Sequence, residues 1–115
     1  LLERRFMRYC DLNQDILYWA SEELPVRYYN PLDKKYHRYF PDFVVKTVNN
    51  EKFMIEIKPS RQVAKPKPPK KKTKSYMRES FEYIKNQAKW QAAKSYCEDK
   101  GMKFKLITEK DLGKY

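Results

Sequence analysis

The sequence predicts an α/β domain in which helices flank a central mixed β-sheet. Three observations predict this class. The chain has 115 residues, which suits a single hydrophobic core; short β-branched and aromatic runs stand between longer amphipathic segments; and the segments follow the order helix, several strands, long helix, strand. No apolar run approaches the ~18 residues that a membrane span needs. We expect one domain over residues 1–115 and no membrane partner.

Two helices are predicted from apolar side chains that recur at helical spacing. The first covers residues 2–10 and the second covers residues 75–100. Gly101 follows the second helix, at the position where a left-handed residue commonly ends a helix. Most of the predicted strands lie between these two helices, so we expect the helices to cover the sheet.

Short runs of aromatic and β-branched residues predict five strands, at residues 16–20, 26–29, 36–48, 51–58 and 104–107. The third and fourth flank Asn49 and Asn50 and form a long hairpin, the strongest β signal. Opposed residue numbers in an antiparallel pair have a constant sum. A sum of 98 sets Ile55 opposite Phe43 on a wholly apolar face, whereas a sum of 99 mixes the faces. We favour 98, which requires a three-residue loop or a bulge.

Asp42 and Glu56 are the candidate catalytic carboxylates, because the same register sets them opposite each other on the second face of the hairpin. Two carboxylate residues whose Cβ atoms lie roughly 4.5–5.5 Å apart destabilise a sheet unless a positive charge lies between them. Hard oxygen ligands with no His or Cys nearby suit Mg²⁺ or Mn²⁺. Lys58 lies on the same face as Glu56, where it can orient a water or stabilise charge that develops on phosphorus.

Glu3 is a candidate third ligand. It lies on the apolar stripe of the first predicted helix with Phe6 and Cys10, where burial of an unpaired carboxylate would be costly. The alternative is an acid that interacts with the positive end of the helix dipole. Glu22 and Glu23 are rival acids, which we interpret as part of a solvated turn.

Positive charge is concentrated in one segment of the chain. Lys and Arg exceed Asp and Glu by 26 − 15 = 11, and eight of these cations lie between Arg61 and Arg78 with no acid among them. We expect residues 61–75 to form a mobile basic loop that binds DNA of any sequence by releasing counterions. The predicted DNA contacts are Lys65, Lys67, Lys70, Lys71, Lys72 and Lys74, with Lys89 on the long helix. The alternative is a solubilising linker.

The spacing of the candidate residues resembles a known motif. Pro41-Asp42, thirteen intervening residues and then Glu56-Ile57-Lys58 resemble the PD-(D/E)xK nuclease motif. The surrounding sequence is similar to the TnsA-like endonucleases, and within them to the head completion nucleases of T-even-type phages. The segments that carry this likeness are Leu2-Glu3, Phe6 to Asp11, Tyr39 to Phe43, Ile55 to Pro59, Asn86 to Trp90 and Phe104 to Leu112.

The resemblance implies a restriction-endonuclease-like core and metal-dependent cleavage of DNA in phage head completion or DNA packaging. It implies Glu3, Asp42, Glu56 and the backbone carbonyl of Ile57 as ligands of Mg²⁺ or Mn²⁺, and Lys58 as the catalytic lysine beside the three acids. The implied partners are double-stranded DNA and phage head, portal or terminase proteins. The expected location is the host cytoplasm, with the virion as a further site.

Two other functions remain open at this point. The chain can be a structural head protein that binds DNA without cleaving it, or a basic module that binds RNA. In both cases Asp42, Glu56 and Lys58 form an ordinary solvated face of the hairpin, with the lysine neutralising the acids. Loss of metal-dependent nicking without loss of DNA binding, on removal of the Asp42 carboxylate, distinguishes the nuclease from these alternatives.

Overall fold

The computed structural model describes residues 2–21 and 25–112, so Glu22 and Glu23 lie outside the described residues. Its elements in chain order are α1 (Leu2–Leu12), β1 (Ile16–Ser21), β2 (Val26–Asn30), β3 (Lys35–Tyr39), β4 (Phe43–Thr47), β5 (Lys52–Ile57), α2 (Ser60–Val63), α3 (Lys74–Lys100), β6 (Lys103–Ile107) and α4 (Glu109–Leu112). The main sheet has the order β1-β4-β5-β6, while β2 and β3 form a separate hairpin. Only β5 and β6 run parallel within the main sheet. The predicted α/β class with a mixed sheet between helices is confirmed.

The long helix α3 has well-defined ends. The Thr73 side chain accepts a hydrogen bond from the Tyr76 amide at 3.1 Å, which satisfies one of the free N–H groups of the first turn. At the other end Gly101 adopts φ 70°, and its amide donates to the last turn. The helix predicted over residues 75–100 is therefore confirmed to within one residue, including its glycine cap.

The predicted strand over residues 36–48 is wrong, because the structure divides it into two strands of different sheets. β3 pairs with β2, and β4 pairs with β1 and β5. The break falls at Phe40-Pro41-Asp42, where no residue is in a strand. Proline has a fixed φ and no N–H to donate to a ladder, so it ends a strand in the middle of a sheet.

The predicted register of the central hairpin is confirmed. β4 and β5 pair Phe43 with Ile55 and Val45 with Phe53, so the residue numbers sum to 98. The loop spans residues 48–50, and its ends are joined by the Thr47 amide, which donates to the Glu51 carbonyl at 2.9 Å. Asn50 takes a φ of 66°, a left-handed conformation that asparagine tolerates. Asp42 lies one residue before the first ladder pair, in line with Glu56.

The main sheet is buried on both sides. One face packs against α1 and α4 through a cluster that contains Phe6, Cys10, Phe43, Val45, Ile55, Ile57 and Leu112. The other face and the β2–β3 hairpin pack against α3, in a cluster built on Met54, Tyr28, Tyr39, Trp90, Ala93 and Cys97. Because side chains alternate along a strand, Glu56 and Lys58 share the face of Met54, which is the face toward α3. The thiols of Cys10 and Cys97 are buried and free, and burial raises the pKa of both.

The basic segment is shorter as a loop than predicted. Part of the range 61–75 is helical, because α2 extends to Val63 and α3 begins at Lys74. Ser60 starts α2 and is fixed from outside the segment: its amide donates to the Glu109 carboxylate at 2.9 Å, and its hydroxyl bonds the other carboxylate oxygen. The irregular stretch is therefore residues 64–73, anchored at both ends. Within the described part of the chain, no helix is long and apolar enough to span a bilayer.

Candidate active site

Asp42 is held in place by the backbone of β5. Its Oδ2 accepts a hydrogen bond from the Ile57 amide at 2.7 Å, across fifteen residues of sequence. The Asp42 side chain is half-buried, and it follows buried Pro41 at the break between β3 and β4. The bond ties the start of β4 to the end of β5. It therefore places the carboxylate beside the residue that follows Glu56.

Glu56 is a buried acid. Its side chain is only 5% exposed, and its Oε2 atom has no hydrogen-bond partner within the described residues. Burial raises the pKa of this carboxyl to about 7, against the lowering influence of Lys58 and Lys89. A buried carboxylate with an unused oxygen costs free energy unless something polar or cationic occupies the space beside it. The position is therefore suited to a cation or a reacting group.

Two lysines approach Glu56 from different elements. Lys58 is the second residue after Glu56 and follows the end of β5; it is half-buried, and its amide donates to the Ile107 carbonyl at 3.0 Å. Lys89 comes from α3, and its Nζ lies 5.5 Å from the ring centroid of Tyr39 and 5.8 Å from that of Tyr28. Burial, together with the neighbouring lysines, lowers the pKa of Lys89 despite the attraction of Glu56. Both lysines thus lie close enough to Glu56 to lower the pKa of its carboxyl.

Glu3 occupies a different environment from the one the sequence suggested. It is exposed in the first turn of α1, whereas Phe6 and Cys10 form the buried stripe of that helix. The expectation that Glu3 is a buried unpaired carboxylate is therefore wrong. Glu3 lies outside the buried stripe of the helix and its side chain is exposed to solvent. It still lies close enough to Glu56 to raise the pKa of that acid. An exposed acid at this end of a helix also interacts favourably with the helix dipole.

The predicted metal ligands meet only in part. Within residues 2–21 and 25–112, no three Asp, Glu, His or Cys side chains stand close enough to form a ready metal cluster. Asp42 and Glu56 supply hard oxygen donors that suit Mg²⁺ or Mn²⁺, and the unused Oε2 of Glu56 fits such an ion. Ile57, whose carbonyl is the predicted backbone ligand, ends β5 and lies between Glu56 and Lys58 in the sequence. The donor set fits a divalent ion that keeps several of its waters.

The basic segment forms one wall of a groove that begins at Lys58. The groove has a volume of about 740 Å³, and its positive side chains are Lys58, Arg61, Lys65, Lys67 and Arg78. Glu79 and Glu82 from α3 also line it. Lys70, Lys71, Lys72 and Lys74 are exposed but do not line it. The structure thus joins two of the predicted DNA contacts to the predicted catalytic lysine and leaves four on the outer surface.

Comparison with known proteins identifies the family. Residues 13–109 match the family described as TnsA-like endonuclease N terminal. The chain belongs to the TnsA-like endonuclease family. It is also 35% identical to the head completion nuclease of Enterobacteria phage T4 over 114 residues, which is 96% of this chain and 76% of the T4 protein. No solved structure shows a significant match to the chain.

For this TnsA-like endonuclease, the matched range includes the break at Pro41-Asp42, Glu56, Lys58 and Lys89, while α1 precedes it. Family membership places the chain among endonucleases, which hydrolyse phosphodiester bonds. Two features of the site carry no signal in the sequence: the rings of Tyr28 and Tyr39 near Lys89, and the presence of Arg78 and Lys58 in the same groove. Both depend on how α3 packs, and tyrosines in β-strands are ordinary core residues.

Proposed function

We propose that this endonuclease hydrolyses phosphodiester bonds of double-stranded DNA with Mg²⁺ or Mn²⁺, and that it acts when phage heads are completed. The single observation that carries the chemistry is the buried Glu56 carboxylate, whose Oε2 has no hydrogen-bond partner within the described residues. Asp42 lies opposite it in the line of the hairpin register, fixed by the Ile57 amide. A buried acid with an unused oxygen next to two lysines suits a bound cation. A solvated hairpin face would instead expose its acids.

Asp42, Glu56 and the Ile57 carbonyl are the groups that would hold the ion, with exposed Glu3 free to contribute through a water. When bound, such an ion polarises the scissile phosphate and lowers the pKa of a water. The fixed orientation of Asp42 spares the site the cost of ordering that side chain during the reaction. Charge stabilisation and water orientation then fall to the lysines of the site.

Lys58 and Lys89 are the cationic groups proposed to contact the reacting phosphate. Both lie close enough to lower the pKa of Glu56, so they bring two positive charges to the place where negative charge develops. Water adds to phosphorus and the P–O3′ bond breaks. The phosphorus keeps the incoming oxygen as a 5′-phosphate, and the departing 3′ oxygen takes a proton. We propose that Lys58, two residues after Glu56, orients that water.

The biological setting is proposed from the T4 relative, whose name describes completion of the head. By this proposal the chain trims or cuts DNA at a filled head inside the infected host cell, together with head, portal or terminase proteins. The basic groove at Lys58 and the exposed lysines Lys70, Lys71, Lys72 and Lys74 are the proposed contacts to the DNA backbone. These side chains would contact the phosphates and would therefore bind DNA without regard to its base sequence.

A structural head protein that binds DNA without cleaving it is the second candidate. The observation that favours it is the lack, among residues 2–21 and 25–112, of a preformed cluster of three metal-binding side chains. Under this alternative the groove still binds DNA, and the buried carboxylate of Glu56 has no catalytic role. The two candidates differ in one measurable property, which is turnover in the presence of a divalent ion.

The deciding experiment incubates supercoiled plasmid with the protein in Mg²⁺, in Mn²⁺ and in EDTA. The proposal expects nicked or linear product with either metal and none in EDTA. Asp42→Ala should give no product, while its salt-sensitive DNA binding in EDTA stays within about twofold of the unaltered chain. The matched control is Asp99→Ala, which removes an exposed acid at the far end of α3 and should cut normally. Equal loss of cutting and binding in Asp42→Ala would favour the binding protein, and a labelled RNA run in parallel tests the RNA module.

A further inference from the structure

The β2–β3 hairpin, which stands apart from the main sheet, has one face that packs on α3 and one that is open. Its register pairs Arg27 with Arg38 and Tyr29 with Tyr36, and opposed residues share a face. All four side chains are exposed. We call these four residues the outer hairpin face. The inner face carries the buried residues Val26, Tyr28 and Tyr39.

The outer hairpin face has two positive charges, on Arg27 and Arg38. Arg27 and Arg38 lie directly opposite each other, an arrangement that destabilises a hairpin when both residues are charged. Neither arginine takes part in an ion pair within the described residues, and Asp33 in the hairpin turn bonds His37 at 2.6 Å. Guanidinium groups match the geometry of phosphate oxygens. An anion between the two arginines would relieve their repulsion.

Aromatic rings complete this face. Tyr36 is 61% exposed and Tyr29 is 45% exposed, and their ring centroids are 5.2 Å apart at an interplanar angle of 67°. The guanidinium of Arg27 lies 4.2 Å from the centre of the Tyr36 ring. Exposed rings beside cations are the elements with which proteins bind single-stranded nucleic acid, because bases stack on the rings and phosphates meet the cations. Bases within a duplex are already stacked on both sides and have no free face to offer.

The outer hairpin face lies close to the candidate active site along the chain. Asp42 follows Arg38 by four positions, which sets their Cα atoms at most about 14 Å apart. A nucleic-acid strand advances by about 3.4 Å per nucleotide. The inner face of the same hairpin contacts Lys89 through Tyr28 and Tyr39. A strand bound at Asp42 therefore meets the hairpin within about four nucleotides.

We infer that the outer hairpin face binds unpaired nucleotides next to the cleavage position, with Arg27 and Arg38 on phosphate and Tyr29 and Tyr36 on bases. The substrate class is then DNA that carries a single-stranded stretch at its end or at a fork, beyond the duplex that occupies the groove at Lys58. The position relative to cleavage rests on the proposed function. The binding itself does not, because it needs neither a metal nor turnover.

The test measures fluorescence anisotropy in EDTA with three labelled probes: a short oligothymidine, a blunt duplex, and the same duplex with an oligothymidine tail. Tyr29→Leu/Tyr36→Leu should bind the oligothymidine and the tailed duplex about tenfold more weakly, and the blunt duplex within about twofold of the unaltered chain. Arg27→Gln/Arg38→Gln should lower the slope of log affinity against log salt on oligothymidine by about 1.4, which is about 0.7 for each phosphate that the variant no longer neutralises. Tyr18→Leu on β1 and Arg8→Gln on α1 are exposed controls and should change neither property.

Several outcomes would overturn the inference. They are unaltered affinity of the tyrosine variant for oligothymidine, an equal loss on the blunt duplex, and failure of the unaltered chain to bind oligothymidine at all. Photocrosslinking of the unaltered chain to an oligothymidine that contains thiothymidine decides the matter even if a variant misfolds. Adducts within residues 25–39 support the assignment, and adducts confined to other segments refute it. The plasmid assay separately decides whether the chain cuts DNA.

Discussion

The Ile57 amide donates to the Asp42 carboxylate at 2.7 Å, and this bond joins the residue before β4 to the end of β5, the strand that carries Glu56. Ile57 is 5% exposed, so its N–H has little access to water if the acceptor is removed. A buried donor left without an acceptor costs about 1–3 kcal/mol. Asp42 therefore has a structural task in addition to its proposed role at the metal.

The first prediction separates these two tasks. Asp42→Ala should lower the free energy of unfolding by about 1–3 kcal/mol, because it leaves the Ile57 amide unpaired. Asp42→Asn retains a carbonyl oxygen for that amide and should lose less than about 1 kcal/mol, yet it lacks the negative charge and should not cut DNA. Urea unfolding and plasmid cleavage measure the two properties. Normal cutting by Asp42→Asn would remove Asp42 from the catalytic set.

The second prediction concerns pH and Glu56. Its pKa is raised from 4.5 to about 7 in the folded chain, so the folded state retains a proton that the unfolded state has lost between these values. Stability therefore falls as pH rises from about 4.5 through 7, by about 3 kcal/mol at 1.36 kcal/mol per pH unit. Glu56→Gln is neutral and should lose this dependence, so that it is more stable than the unaltered chain at pH 8 and similar at pH 4. Parallel stability profiles of the two proteins in EDTA would contradict the assignment.

The third prediction concerns binding of the divalent ion in the absence of DNA. An ion that binds only the folded chain stabilises it, and at a hundredfold excess over its Kd the gain is about 2.7 kcal/mol. We expect Mg²⁺ or Mn²⁺ to raise the Tm of the unaltered chain at pH 8, where the buried carboxylate is ionised. Glu56→Gln should show no such rise, and Asp99→Asn should behave like the unaltered chain. Equal shifts in all three proteins would point to a general salt effect.

The fourth prediction compares two pairs of lysines of equal charge. Lys65 and Lys67 line the groove that leads to Lys58, whereas Lys71 and Lys72 lie in the same segment and do not line it. Lys65→Gln/Lys67→Gln should reduce the slope of log affinity against log salt on duplex DNA by about 1.8, at about 0.9 per phosphate bound, and should slow cutting. Lys71→Gln/Lys72→Gln should reduce that slope by less and leave the cutting rate at saturating DNA unchanged. If the two variants show the same salt slope and the same cutting rate, the segment acts through its charge alone. The groove then contributes no more to DNA binding than the rest of the segment.

The sequence predicted local order more reliably than contacts between distant elements. The register of Phe43 against Ile55 followed from the pattern, because a shift of one residue would have mixed the faces. The break at Pro41 was missed, although proline is a strand terminator, because aromatic residues continue on its N-terminal side. The exposure of Glu3 was missed because the spacing of apolar residues does not determine whether a residue at the margin of the stripe is buried or exposed. The approach of Lys89 to Glu56 joins α3 to β5, and no local pattern records such packing.

The connection between the β2–β3 hairpin and β4 consists of Phe40, Pro41 and Asp42 alone. The candidate acid Asp42 is itself part of this short connection. The position of its carboxylate is therefore closely tied to the position of the hairpin. Added residues at Phe40-Pro41 should misplace the acid and end turnover, whereas the hairpin turn at residues 31–34 is exposed and should tolerate them. Reporter peptides or fusion partners therefore belong in that turn. Because the connection is so short, any displacement of the hairpin also displaces the Asp42 carboxylate.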